Sequence, residues 1–210
     1  MRRGRFITFE GGEGTGKSTQ ARLLADRLRP LVGNVVLTRE PGGSPGAEAL
    51  RELLLNGEAE RWSATAEALL MYAARADHLD RVIRPALSGS AWVVCDRFLD
   101  STRAYQGAAG GAPQALIAAL EAQVVGDARP DLTLVLDLPV EAGLERAFGR
   151  NMFDRFEARG QAFHERLRQA FLDIAAAEPA RCRVIDASGP PEAVAEAVWA
   201  AVQERTLALA

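Results

Sequence analysis

The chain alternates short apolar runs with longer stretches of helical period. Phe6–Phe9, Val35–Thr38, Trp92–Cys95, Leu132–Leu136 and Arg183–Ile185 are the candidate strands. Several are apolar on successive residues, the pattern of strands covered on both faces. Between them, Thr19–Leu28 places Ala21, Leu24, Ala25 and Leu28 on one helical face, and Leu69–Ile83 carries Leu69, Tyr72, Ala76, Leu79 and Ile83. Gln114–Val125 repeats Leu116, Leu120 and Val124 at four-residue spacing, and Pro191–Arg205, with Pro at its start, reads as a closing helix. Strands alternating with helices predict an α/β fold on a parallel sheet. No repeat or low-complexity linker interrupts it. Gly107–Ala112 reads as a loop, and residues 1–210 as a single domain. Arg146–Arg159 breaks the pattern. It is polar, arginine-rich and without an apolar stripe, so it reads either as a solvated helix face or as a mobile element.

Composition narrows the function classes. With 48% hydrophobic and 25% charged residues, 210 residues suffice for an ordinary core and exclude wholesale disorder. The balance of 25 Lys+Arg against 28 Asp+Glu, a formal −3, argues against a general nucleic-acid binder but permits a local cationic pocket. Cys95 and Cys182 are too few for a disulfide framework and suit a reducing compartment. His78 and His164, both in expected helices, read as structural or exposed, and two histidines poorly fit a His-rich metal site. No apolar stretch approaches the ~18 residues needed to span a bilayer. The run Phe6–Phe9 behind Arg2, Arg3 and Arg5 is too short for a signal sequence. A cytoplasmic protein without membrane or nucleic-acid partners is expected.

The strongest chemical signal follows the first strand. Gly11-Gly12-Glu13-Gly14-Thr15-Gly16-Lys17-Ser18 matches G-x-x-x-x-G-K-[ST], with a strand before it and a helix, opening at Thr19, after it. Glycines let the backbone curl so that successive N–H groups meet phosphate oxygens, and the helix adds its positive end. Lys17 is placed for the β- and γ-phosphates and the Ser18 hydroxyl for Mg²⁺. A ligand-free glycine turn is the bland alternative. The Lys–Ser pair disfavours a dinucleotide site, and no N-K-x-D is present to read guanine. The loop alone does not separate kinases from ATPases or switches, so an acceptor site must decide.

Three further clusters bear on it: Thr38-Arg39-Glu40-Pro41-Gly42-Gly43 after the second strand, Tyr72-Ala73-Ala74-Arg75 on a helix, and Asp96-Arg97-Phe98 after the third strand. The last continues into Ser101-Thr102-Arg103-Ala104-Tyr105-Gln106-Gly107. Taken with Phe9–Thr19, Arg39–Gly43 and Asp154-Arg155-Phe156-Glu157, in this order over about Arg5 to Val202, the chain resembles the thymidylate kinases, of the bacterial branch. The resemblance implies a five-stranded parallel sheet of order 2-3-1-4-5, ATP as phosphoryl donor with Mg²⁺, dTMP as acceptor in the dTTP pathway, and a homodimer. It implies that Arg39 and Arg97 grip the dTMP phosphate, that Arg75 hydrogen-bonds the thymine edge, and that Ser101 and Thr102, with Gln106 beside them, help read the base. Tyr105 would crowd the sugar 2′ position, Glu13 would face the acceptor or the metal, and Asp96 would organise Mg²⁺ and its waters. Adenine would lie near Asp186–Pro190, and the apolar helices after Pro45 and Ala64 would be the dimer contacts.

The chemistry agrees independently. A phosphate monoester, with a second pKa of about 6, is largely deprotonated at neutral pH, so no general base is needed. Bringing two anions together is the problem, and arginines at strand ends suit it. Bland readings stand beside these roles. Arg39 or Arg75 alone can be a solvated charge, Tyr105 a core residue, Asp96-Arg97 an internal ion pair, Gly42-Gly43 a turn, and Ser101-Thr102 a helix cap.

The segment of about 146–159 resembles the family's lid. Gly14, where another branch carries a loop arginine, implies that a catalytic arginine comes from this lid. Arg150 is preferred, then Arg146, which can instead lie against adenine; Arg155 can equally pair with Asp154 or Glu157. Phe148, Met152 and Phe153 stand where a denser basic run is expected. Met71 stands where the family usually has a thymine-stacking Phe, a softer platform, and Phe98 replaces the commoner Tyr or His. The rivals are a monophosphate kinase of different base preference and a weakly catalytic nucleotide-binding module.

Overall fold

The computed structural model describes residues 4–58, 60–148, 155–156 and 158–207. Among these, β1 (Phe6–Glu10), β2 (Val35–Arg39), β3 (Trp92–Asp96), β4 (Leu132–Asp137) and β5 (Cys182–Asp186) form one parallel sheet in the order β2-β3-β1-β4-β5. This is the order the resemblance implies. The inner strands are buried on both sides, whereas the edge strands expose Leu37 and Val184. Every strand runs one residue beyond its apolar run, to Glu10, Arg39, Asp96, Asp137 and Asp186. Backbone pairing is indifferent to side-chain polarity and continues past the last apolar residue. The carboxyl edge of the sheet, where ligands of open α/β folds bind, therefore carries a row of ionisable groups.

Alternate strand residues face opposite layers. Ile7, Phe9, Val94, Leu134 and Leu136 pack with Leu24 and Leu28 of α1 (Lys17–Val32) and with Val198 and Trp199 of α9 (Pro191–Val202). On the other side, Phe6, Val93 and Cys95 meet Tyr72 of α3 (Ala64–His78) and Ile117 of α6 (Gln114–Val124). Val135 and Cys182 lie under α8 (Gln161–Ala177). Polar strand residues share that second face. Thr8 and Thr133 satisfy each other across it at 2.8 Å. Arg181 donates to Thr133 Oγ1 (2.6 Å) and to Asp100 Oδ2 (2.7 Å), tying β5 to α5 (Leu99–Thr102), which carries site residues.

Several element bounds differ from the sequence reading. α1 begins at Lys17, directly after the loop glycine. α3 starts five residues before Leu69, where the Ser63 hydroxyl accepts from Ala66 N (3.2 Å), and it runs through a π-helical stretch, Leu79–Ile83, into α4 (Arg84–Ser88). Gly107–Ala112 is not simply a loop. Arg103–Ala109 forms a π-helical segment continuing α5, because Ala104, Tyr105 and Ala109 gain burial against Phe163, Leu167 and Phe171 of α8. Tertiary packing overrides the loop-like composition there. Two more helices, α2 (Pro45–Leu55) and α7 (Val140–Phe148), flank the site. No helix among the described residues is long and apolar enough to cross a membrane.

Candidate active site

The phosphate loop lies between β1 and α1, and two of its glycines, Gly11 and Gly14, are required by what surrounds them. Gly14 has φ 66°, and a Cβ there would stand 1.9 Å from the carbonyl oxygen of Gly143 in α7. A Cβ on Gly11, at φ 135°, would stand 2.4 Å from Leu136 O at the end of β4. The loop is thus seated against backbone on two sides. Lys17 folds back over it, donating to Gly12 O (2.5 Å) and Thr15 Oγ1 (3.2 Å). Burial, and then the Arg97 charge, lower the Lys17 pKa to about 8 against the pull of Glu13, Asp96 and Glu10.

A cavity of about 240 Å³ opens beside the loop and is lined by Lys17, Ser18 and Thr19 on one side and by Arg39, Arg75 and Arg97 on the other. Glu13, Asp96, Met71, Ser101, Thr102, Tyr105 and Gln106 also line it. The space behind the loop, near His164, is about 20 Å³ and holds at most one water, so of the two spaces that the loop lines only the first is ligand-sized.

Asp96 and Arg97 do not pair with each other. Ser18 Oγ donates to Asp96 Oδ2, while Asp96 Oδ1 is buried with no hydrogen-bond partner among the described residues. Arg97 sits at φ 68°, an uncommon backbone conformation for a residue with a side chain, and its N–H is held by Phe9 O (2.9 Å). Its guanidinium donates to Gly11 O (3.0 Å), to Ser101 Oγ (3.3 Å) and to both oxygens of Glu13 (3.0 and 3.1 Å), and it lies 4.9 Å from the Tyr105 ring centroid. Burial works against the Arg97 charge, but Tyr105, Glu13 and Asp96 outweigh it and raise its pKa. Burial likewise pushes Glu13 up, but Arg97, Lys17 and the Tyr105 hydroxyl, which donates to it, bring it down to about 2. Tyr105 is both core and site, since its ring packs edge-on against Phe156, Phe163 and Phe171.

Glu10, absent from the sequence-based assignment, underpins this corner. Its Oε1 accepts from Phe98 N (2.9 Å) and Ser101 N (3.2 Å), and its Oε2 from Ser101 Oγ (2.6 Å). Ser101 and Thr102 are therefore inside α5 and not its cap. Burial, and then Asp100, push the Glu10 pKa from 4.5 up to about 7, against Ser101, Arg97 and Phe98. The folded state thus keeps a proton that the unfolded chain releases. The contribution of this group to stability weakens as pH rises from 4.5 through about 7. Glu10→Gln is expected to flatten that part of the stability–pH curve in urea titrations. An unchanged slope would assign the titration to another group.

Arg75 is buried in a different setting. Its Nε donates to Glu40 Oε2 (2.8 Å) and its Nη2 to Phe98 O (2.9 Å) and Thr102 Oγ1 (3.0 Å), whereas Nη1 is buried with no partner among the described residues. Gln106 donates to Glu67 Oε1 (2.7 Å). Arg39 is exposed and pairs with Glu48 (3.0 Å), whose other oxygen accepts from Gly43 N (2.8 Å), so Gly42-Gly43 is more than a turn. Arg51 also lines the cavity and was not singled out from sequence; Phe156, which lines it too, lies within the Asp154–Glu157 motif. Glu10 and Glu40 lie within motifs already quoted, which was the available signal. Their partners lie far along the chain, and no spacing rule shows them.

The arginines expected to form a lid separate. Arg146 donates to Ala187 O (3.0 Å) and Ser188 O (3.1 Å), beyond the end of β5, and does not line the cavity. Arg155 is buried, with Nη2 on Glu67 and Nε on Leu54 O, so it is a packed anchor rather than part of a solvated face. Arg150, Met152, Phe153, Asp154 and Glu157 lie outside the described residues.

A phosphate loop facing an arginine-lined acceptor pocket across one cleft belongs to the P-loop phosphotransferases. Comparison with known proteins agrees. The family model for thymidylate kinase matches residues 9–198. The chain is 62% identical over 205 residues to the thymidylate kinase of Caulobacter vibrioides, covering 98% of this chain and 99% of that one. It is 55% identical over 208 residues to that of Bradyrhizobium diazoefficiens, covering 98% and 91%. The crystal structure of thymidylate kinase from Ehrlichia chaffeensis superposes with a TM-score of 0.78 at 37% identity, covering 96% of this chain and 99% of that one. The chain belongs to the thymidylate kinase family. It is a kinase, and the family's reaction is the ATP-dependent phosphorylation of dTMP to dTDP.

Proposed function

We propose that this kinase performs its family's reaction by binding the ATP phosphates on Gly11–Thr19 and dTMP in the pocket of Arg39, Arg75 and Arg97. The observation that carries this reading is the continuity of the two halves, since Lys17 and Ser18 line the same cavity as the three arginines. Arg97 and Arg39 take the acceptor phosphate, exchanging their carboxylate partners for it. Arg75 meets the thymine through its free Nη1, Met71 lies against the base, and Tyr105 backs the sugar. Thr102 acts on the base side by holding Arg75, Ser101 beside it braces the phosphate-binding Arg97, and Gln106 closes the base-side wall. No general base is required, because the monoester is already ionised, and catalysis is alignment and charge. Lys17, whose charge is weakened by burial, regains it against polyphosphate.

Mg²⁺ fits the residues present. Asp96 Oδ1 is buried and unpartnered among the described residues, and Ser18 Oγ adjoins Asp96. No cluster of three or more acidic, histidine or cysteine ligands occurs among them, and Mg²⁺ commonly takes only one or two carboxylates. Bound there, the ion supplies positive charge to the β- and γ-phosphates. Ser18 and Asp96 would hold it, and Glu13, once Arg97 turns to the phosphate, keeps the Tyr105 hydroxyl and the Lys17 charge as its neighbours.

Arg146 supports an adenine site at the Asp186–Pro190 loop, because it braces Ala187 and Ser188 there. The catalytic lid arginine is then assigned to Arg150, within a lid of about 146–159 on a single domain. The chain is further proposed to be a cytoplasmic homodimer without nucleic-acid or membrane partners. Leu53 on α2 and Leu69 on α3, both exposed, support contacts on those helices.

ADP release measured with dTMP, dUMP, CMP, AMP and GMP tests the substrate. The expected result is a clear preference for dTMP. Equal rates would overturn the acceptor assignment.

A further inference from the structure

Glu40 and His78 are buried ionisable groups beside the cavity that the reaction above does not use. Their side chains are 5% and 0% exposed, and that of Arg75 is 2%. Glu40 Oε1 meets His78 Nδ1 at 3.0 Å, and His78 Nε2 meets Thr38 Oγ1 at 2.7 Å. With the carboxylate accepting from Nδ1–H, Nε2 is left to accept the Thr38 hydroxyl proton. Glu40 Oε2 then takes Arg75 Nε. The chain is closed over by Gly43, where a Cβ would stand 2.5 Å from both His78 Nε2 and Thr38 Oγ1.

The effect on Arg75 is specific. A guanidinium has five N–H donors in one plane. Glu40 takes the one on Nε, and Phe98 O and Thr102 Oγ1 take the two on Nη2. The Tyr72 and Phe98 ring centroids lie 4.8 and 5.1 Å from the guanidinium carbon. The plane is therefore fixed, and both Nη1 donors are left buried at the cavity wall, an arrangement that costs stability unless a ligand supplies acceptors.

We propose that Thr38, His78 and Glu40 form a positioning chain for the acceptor base, holding Arg75 so that its Nη1 presents only donors to a keto-pyrimidine edge. The proposal rests on the reading of this pocket as the acceptor-base site. A carbonyl oxygen satisfies Nη1, whereas a 4-amino group opposes donor to donor and is rejected. Because Thr38 adjoins Arg39 on β2, the same chain links the base reader to the strand end that grips phosphate.

The test is steady-state kinetics of Glu40→Gln, His78→Gln, His78→Phe and Thr38→Val, with dTMP and CMP as acceptors and melting temperature recorded. Glu40→Gln is expected to raise KM for dTMP about tenfold or more, with KM for ATP within about twofold, and to shrink the dTMP-over-CMP ratio. His78→Phe should act in the same direction, and His78→Gln, whose amide can still donate to Glu40, should recover part of the loss. If Glu40→Gln does not fold, Thr38→Val at the far end of the chain is read by the same criteria. Soluble variants that lose melting temperature but keep KM for dTMP and the dTMP-over-CMP ratio would reduce the chain to core structure and overturn the proposal. So would parallel rises in both KM values. A wild-type enzyme with no preference for dTMP over CMP would instead refute the acceptor-base reading itself.

Discussion

Arg97→Ala is expected to lower kcat/KM for dTMP by about 10³-fold, most of it in kcat, with KM for ATP little changed. Arg97 lines the cleft and spans it, from Gly11 O of the phosphate loop to Ser101 of α5. Its charge is raised by its surroundings despite burial, so it is available at any working pH. A loss of 10³ corresponds to about 4 kcal/mol of transition-state stabilisation, the scale of a guanidinium holding the acceptor phosphate against the transferring phosphoryl group. Lys is expected not to rescue it, because the fork that meets Gly11 O, Ser101 Oγ and both oxygens of Glu13 is planar.

One confounding effect has a direct control. Removing Arg97 leaves the Glu13 carboxylate without its bidentate partner, and an uncompensated buried charge is costly in its own right. The pair Arg97→Ala/Glu13→Gln removes that cost. If the double variant regains stability but not turnover, the loss belongs to the missing arginine. Turnover near wild type in either variant would remove Arg97 from the chemistry.

Gly14→Ala is expected to be the most damaging one-carbon change in the phosphate loop. The new Cβ would stand 1.9 Å from Gly143 O, a backbone atom that no side-chain rotation moves aside, and φ is 66°. The left-handed backbone costs about 1–2 kcal/mol for a residue with a side chain, and the clash adds roughly 1–3 kcal/mol or displaces the loop. A displacement of about 1 Å at a phosphate cradle costs on the order of 10²-fold in rate. Gly12→Ala is the matched control, since a Cβ there meets nothing within 4 Å and its φ is not in the left-handed range. Melting temperature and kcat should fall sharply for Gly14→Ala and little for Gly12→Ala. Equal behaviour would show that α7 yields, and would remove the argument that the loop is seated against it.

The same contact gives a physical sense to Gly14. The sequence shows a glycine where a branch of the family carries arginine. The structure places the Gly143 carbonyl of α7 where the Cβ of any larger residue at position 14 would stand. The phosphate loop and α7 are packed directly against each other.

Much of the fold was legible because its signals are local. Apolar runs at β1, β3 and β4 require strands buried on both faces, and the phosphate loop announces itself because all its parts are consecutive. The ordered motifs pointed to the family for the same reason. Arg103–Ala109 was read partly as loop because its helical form depends on Phe163, Leu167 and Phe171, about 60 residues away. The arginine-rich stretch likewise concealed Arg155 as a buried anchor, since its partners, Glu67 and Leu54, precede it by 88 and 101 residues.

By itself, then, the sequence determined the α/β class, the phosphate loop and the kinase family, all of which are written in contiguous residues and their order. Only the tertiary structure decided which charge meets which. Arg97 turns to Glu13, Ser18 to Asp96, Arg75 to Glu40, and Arg146 away from the cleft to Ala187 and Ser188. Ion pairs and hydrogen bonds act over a few ångströms of space, and a linear sequence carries no measure of that distance until the sheet brings its carboxyl edges together.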